Sequence, residues 1–161
     1  MIALGLSGLL LVVCLSLAFF TSRSIASVTE SVDLNARSRH AIDRMGQKIR
    51  QASVVTSFSP TAVSLVYDSR NLTYTWNANN KTLVEVDAGV TNTLLEYCDS
   101  LTFALYKRNP TSNSVFNQFP VLTATNEAKV VQVNWRCARN LIGKADGSAE
   151  MVSAKFVIRT K

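Results

Sequence analysis

The sequence predicts an α+β fold: a long N-terminal helix, membrane-spanning in its first part and amphipathic in its second, packed on an antiparallel β-sheet domain. Three observations carry that prediction. No residue from Ile2 to Phe20 is charged, and only Ser7 and Ser16 interrupt the apolar run. Between Thr21 and Ser53 there is no proline and one glycine, Gly46, while apolar residues recur every three or four positions. From Val54 onward the hydrophobic period falls to two, the period of a strand.

The apolar segment comes first. As a helix, the run from Ile2 to Phe20 is about 28 Å long, close to the hydrocarbon thickness of a bilayer. Residues 1–22 are therefore read as the transmembrane part. Its lipid-facing or helix-facing side chains are Ile2, Leu4, Leu6, Leu9, Leu10, Leu11, Val12, Val13, Leu15, Leu17, Phe19 and Phe20, and Gly5 and Gly8 would let a second helix approach closely. Cys14 reads as a small hydrophobe in this run. A removable signal peptide would carry a basic start and a shorter apolar core. Ser24-Ile25-Ala26 could serve as its cleavage site, and a secreted enzyme released near Ala26 is the reading that would follow.

The next stretch, residues 23–55, continues the helix with a different surface. Ile25, Val28, Val32, Ala36, Ile42, Met45 and Ile49 fall at spacings of three and four, apart from a polar gap around Arg39. They are expected to form the face that packs on the sheet, with charged residues on the other faces and Asp33 placed to pair with Arg37 one turn later. Span and stripe together make a rod of about fifty residues, roughly 75 Å long.

Residues 56–161 are expected to form the globular sheet domain. Alternating runs occur at Val63–Tyr67, Leu72–Trp76, Thr82–Val86, Leu101–Leu105, Val131–Trp135 and Val152–Ile158. The Asn77–Asn80 cluster between the second and third predicts a hairpin. Each run has one apolar face, which suits a sheet covered on one side, with the helix as its cover. The polar segments Lys107–Phe119 and Ala138–Ala149 read as loops. Tyr74, Trp76 and Trp135 are read as core residues.

Charge and motifs exclude more than they select. The net charge of +6 is spread evenly along the chain, without a Lys/Arg run or interleaved stacking aromatics, so no nucleic-acid partner is expected. The single histidine, His40, has no metal-ligating partners at suitable spacing, and no Cys-x-x-Cys, Gly-rich phosphate loop or Gly-x-Ser-x-Gly elbow occurs. The carboxylate pairs Glu85/Asp87 and Asp68/Asp99 have nothing to select them as acid and base. No catalytic, metal or cofactor site is expected. Cys98 and Cys137 form a disulfide if the domain is extracytoplasmic; the other reading is two half-buried thiols.

At this point the chain resembles the type IV pilin and pseudopilin superfamily. Met1-Ile2-Ala3-Leu4-Gly5-Leu6-Ser7-Gly8-Leu9-Leu10-Leu11 is similar to the second and third turns of a prepilin helix. Asp43-Arg44-Met45-Gly46-Gln47-Lys48-Ile49-Arg50-Gln51-Ala52 is similar to the end of that helix in minor pilins of the PilW type and in J-type pseudopilins of type II secretion. Ser153-Ala154-Lys155-Phe156-Val157-Ile158-Arg159 is similar to their last strand.

The resemblance implies a non-enzymatic structural subunit of a type IV pilus or type II secretion pseudopilus. It would be held in the bacterial inner membrane by a single pass, with the β domain periplasmic or, in an assembled filament, extracellular. Its implied partners are other pilin or pseudopilin subunits, the inner-membrane assembly machinery, and membrane lipid before assembly. The family's processing motif (a Gly before the cut, then an aromatic, a Thr-Leu pair and a Glu) would lie ahead of Met1, and the expectation is a start upstream of this methionine. The alternative is a stand-alone membrane-anchored binding domain that never polymerises.

Overall fold

The computed structural model describes residues 2–107, 119–121, 127–141 and 144–159, the side chains of 2–7, 119–121, 140–141 and 144–148 excepted. An α-helix, α1, runs from Ile2 to Gln51 without a break. No proline interrupts it, and the hydroxyl-bearing residues inside it do not compete with its ladder. Ser16 Oγ donates back to the Val13 carbonyl, and Thr21 Oγ1 to that of Leu17 at 3.0 Å. Lys48 and Arg50 in the last turn complement the negative end of the helix dipole.

Among the described residues nine strands follow: β1 (Val54–Ser59), β2 (Ala62–Tyr67), β3 (Arg70–Asn77), β4 (Thr82–Asp87), β5 (Val90–Leu95), β6 (Cys98–Lys107), β7 (Phe119–Val121), β8 (Ala128–Leu141) and β9 (Lys144–Val157). They form two antiparallel sheets, ordered β1-β2-β3-β4-β5 and β7-β6-β8-β9. The first is a plain meander. Asp68 and Ser69 both take positive φ between β2 and β3, as do Ala88 and Gly89 between β4 and β5, the signature of two-residue hairpin turns. Between β3 and β4, Asn77 Oδ1 accepts from the backbone N–H groups of Asn79 and Asn80.

The α+β class holds, and three local expectations change. The strands divide into two sheets where one was expected. β1, β5 and β7 join the predicted strands; the outer half of β5, with Thr91, Asn92 and Thr93, has too little apolar alternation to reveal an edge strand from its sequence. Ala138–Ala149 is not a loop throughout: Ala138 pairs with Ala149, Arg139 with Ser148 and Leu141 with Lys144. Backbone ladders can outrun side-chain patterning, which alone was legible there. Lys107 and Phe119 are the ends of β6 and β7, and residues 108–118 lie outside the described part of the chain.

Helix and sheets share one hydrophobic core. Leu34, Ala41, Met45 and Ile49 of α1 are buried with Leu65, Leu72 and Leu83 of the first sheet and Phe103, Val131, Val133 and Phe156 of the second. Tyr74 and Trp135 are buried, and Trp76 is partly so. The helix lies chiefly against β9. Gly46 makes that approach possible: a Cβ there would sit 3.0 Å from Phe156 Cε1.

Candidate functional site

The most distinctive surface of the protein is its helix, which presents three different faces in succession. From Leu9 to Phe20 every large apolar side chain is exposed, Phe20 at 71%. By length and composition this helix can cross a membrane. Arg23 is the first charged residue beyond the apolar run, suited to the interfacial level of a bilayer. Open space surrounds Gly8, so a second helix could come close there. The side chains of Ile2, Leu4 and Leu6, and the position of Gly5, fall in the stretch whose side chains are outside the described residues.

The second face corrects the predicted packing stripe. Ile25, Val28, Val32 and Ala36 are not buried against the sheet; they are exposed, Val28 at 62%, and Ala36 only borders a groove beside Thr93 and Leu94 of β5. The face that docks is Leu34, Ser38, Ala41, Met45 and Ile49, all buried, with Ile42 packed at its margin. Val32 and Ala36 each lie two residues from Leu34, hence about 200° around the helix. The sequence held both stripes. The gap of six between Ala36 and Ile42 marks where the more apolar stripe changes face, whereas Leu34-Ser38-Ala41-Met45-Ile49 is unbroken at spacings of four, three, four and four. Ser38 concealed it by being polar; its hydroxyl accepts from Trp135 Nε1 at 3.4 Å within the core.

The third feature is electrostatic. Where the globular domain first meets α1, Arg139 of β8 reaches Glu30 at 2.5 Å and Asp33 at 3.0 Å. The Tyr97 ring lies under its guanidinium, 4.4 Å from the centroid. The hydrogen bond to Glu30 holds the Arg139 pKa above its usual value, outweighing the opposing effect of partial burial. Beside this clamp Arg37 bridges Asp33 and Glu96. From Thr21 to Thr29, about two and a half turns between the apolar segment and the clamp, α1 is exposed apart from the half-buried Ser27.

A buried ion cluster anchors the far end. Glu85 of β4 is fully buried, and its Oε1 accepts from Arg44 Nη2 at 2.8 Å and Lys48 Nζ at 2.9 Å. Lys48 also reaches Asp87 at 2.6 Å. Burial lowers the Lys48 pKa, but the bonds to Asp87 and Glu85 more than offset it and the net shift is upward. Glu85 Oε2 and the Tyr74 hydroxyl are buried without a hydrogen-bond partner among the described residues. Burial first, and the neighbouring Glu85 charge second, push the Tyr74 phenol well above its ordinary pKa. Glu85 and Asp87 are thus tied to two helix cations, a role their sequence could not reveal because the partners lie about forty positions away.

Cys98 and Cys137 stand directly opposite each other on β6 and β8, both buried. Both are free thiols in this structure, and the Cys98 Sγ donates to the Ser100 carbonyl at 3.3 Å. The neighbouring Cys137 thiol, with burial second, raises the Cys98 pKa. His40 lines an open groove of about 390 Å³ with Arg37, Thr93, Leu94 and Glu96. Among the described residues, no three His, Cys, Asp or Glu side chains are grouped to hold a metal ion. No protein-family model, curated protein or solved structure matches the chain.

Proposed function

We propose that the protein is a non-enzymatic structural subunit of the minor-pilin or pseudopilin type, serving a type IV pilus or a type II secretion pseudopilus. The observation that carries this reading is the continuous helix, whose apolar segment runs on beyond Phe20 into a stripe that the domain leaves exposed. A plain membrane anchor needs apolar side chains only within the bilayer. Ile25, Val28, Val32 and Ala36 lie beyond it, and exposed apolar stripes of this kind are places where other surfaces dock. In the proposed subunit, residues 2–20 hold the chain in the bacterial inner membrane. They then exchange lipid contact for contact with the helices of other pilin or pseudopilin subunits, and the stripe extends the same packing outside the membrane. The sheet domain is directed to the periplasm and, after assembly, to the filament surface. The assembly machinery of the inner membrane is its other partner.

The test is a charge placed in the apolar segment, Leu10→Arg or Val13→Arg, scored for incorporation into filaments with the sheet domain checked for folding. Loss of incorporation with a folded domain is expected; normal filaments would refute the proposal. Cysteine crosslinking along the stripe separates the rival anchored domain. A ladder of linked subunits is expected, and a monomer that never crosslinks would mark a domain that does not polymerise.

A further inference from the structure

We infer that Cys98 and Cys137 are joined in the mature protein as a cross-strand disulfide, stapling the seam between the two sheets and holding in place the Tyr97–Arg139 clamp on the helix. The backbone pattern shows why this pair is placed to bond. The Ala138 N–H donates to the Tyr97 carbonyl, while the Cys98 N–H turns away from β8 to the Lys81 carbonyl at 2.8 Å. Cys98 and Cys137 are therefore a non-hydrogen-bonded pair of the antiparallel ladder, the narrow kind, with Cα atoms about 4.5 Å apart. That separation lies within the range of roughly 4.4–6.8 Å that a disulfide spans. Both side chains are buried on the same rung, and the Cys98 Sγ, which donates to the Ser100 carbonyl at 3.3 Å in the free-thiol form, must turn towards Cys137 for the bond to form.

The surroundings give the bond a purpose. Tyr97, at positive φ, is the turn between the first sheet and β6, and its neighbour Cys98 is bonded to the first sheet on both sides. Its N–H reaches the Lys81 carbonyl, and its own carbonyl accepts from Trp76 Nε1 at 3.1 Å. Cys137 lies two residues before Arg139, on the same face of β8. A bond between the sulfurs thus ties the first sheet, through Cys98, to the strand that carries the clamp arginine.

The chemistry is thiol–disulfide exchange with an external disulfide, from a protein oxidant or a small molecule, in an oxidising compartment. One cysteine thiolate attacks the external disulfide, giving a mixed disulfide and releasing one thiol. The second cysteine then displaces the other, so two protein thiols and one external disulfide become one protein disulfide and two external thiols. Because the pair is fully enclosed once β6 and β8 have paired, exchange takes place during folding. The inference does not depend on filament assembly, only on folding outside a reducing compartment.

The test uses the full chain in membranes from cells that export its sheet domain. Thiols are trapped in acid, then alkylated under denaturing conditions without reductant and mapped by mass spectrometry. Alkylation of Cys14 alone is expected, with a linked Cys98–Cys137 peptide two hydrogens lighter than its thiol form. Alkylation of all three cysteines would overturn the proposal. The stapling role is read separately, by hydrogen exchange of α1 over residues 27–37 before and after reduction of the wild-type chain. Loss of protection on reduction is expected, and the Cys98→Ala/Cys137→Ala double variant should show the same loss without reductant. Unchanged protection once the bond is broken would remove the staple from the account of the clamp.

Discussion

The Glu85 carboxylate, enclosed on β4, accepts from the Arg44 guanidinium of α1 at 2.8 Å, across forty-one residues of sequence. The relationship fixes the helix rotationally, because turning the Arg44 face away from β4 would strand a buried charge. Lys48, one turn along, shares the same oxygen. Replacing Glu85 by Leu leaves Arg44 without its carboxylate and Lys48 with Asp87 alone. An unfolding free energy lower by about 3 kcal/mol is expected, at the low end for a broken buried pair because Arg44 and Lys48 partly reach water. Urea denaturation of the chain in detergent measures it, and a loss below the exposed-pair value of about 1 kcal/mol would contradict the account.

The same cluster predicts an alkaline limit. Lys48 and Tyr74 both have folded-state pKa values raised above those of the unfolded chain. A raised value means that the folded state keeps its proton longer, so the contribution is complete below the unfolded pKa and is lost as pH rises through the folded one. The thermal midpoint should be flat to about pH 10 and fall beyond it, where unfolded tyrosine and lysine begin to ionise. Tyr74→Phe should make that fall shallower. An identical alkaline limb in the variant would show that the phenol plays no part.

Gly46 is the contact point of helix and β9. Replacement by Leu would drive a side chain into Phe156, itself buried, and overpacking of this kind costs about 1–3 kcal/mol. The gain in helix propensity is smaller, at about 1 kcal/mol. A net loss of stability in denaturant titration is the expected result.

Arg139 governs where the helix leaves the domain. Arg139→Ala should cost only about 1 kcal/mol of global stability, since both carboxylates are partly solvated. It should, however, accelerate hydrogen exchange over residues 27–37 while leaving 41–51 protected. Uniform exchange along the helix would show that the clamp is not local.

The exposed stripe separates folding from assembly. Val28→Glu and Val32→Glu alter exposed side chains, so stability should stay within about 0.5 kcal/mol of the parent. Incorporation into filaments should nevertheless fall, as judged by co-purification with other subunits. Destabilisation of the isolated chain would place the stripe within the fold instead.

How much of this was legible varied with the range of the signal. The helix from Ile2 to Gln51 and most strands follow from local period, with Asn77–Asn80 marking one hairpin. The docking face did not. Leu34 lies outside the expected stripe because its partners Ser38 and Ala41, a buried serine and a small alanine, carry little hydrophobic signal, whereas Val28 and Val32 carry a strong one. The candidate surface was therefore visible as an apolar stripe but assigned to the wrong partner.

The sequence by itself determined a helix long and apolar enough to cross a bilayer, and a sheet domain after it, because period and charge act between near neighbours along the chain. Only the tertiary structure decided which side of the helix is covered, that Glu85 meets Arg44, and that Cys98 faces Cys137. Each of those depends on strand register and on how closely Gly46 lets α1 approach β9, and such long-range geometry leaves no trace in local pattern.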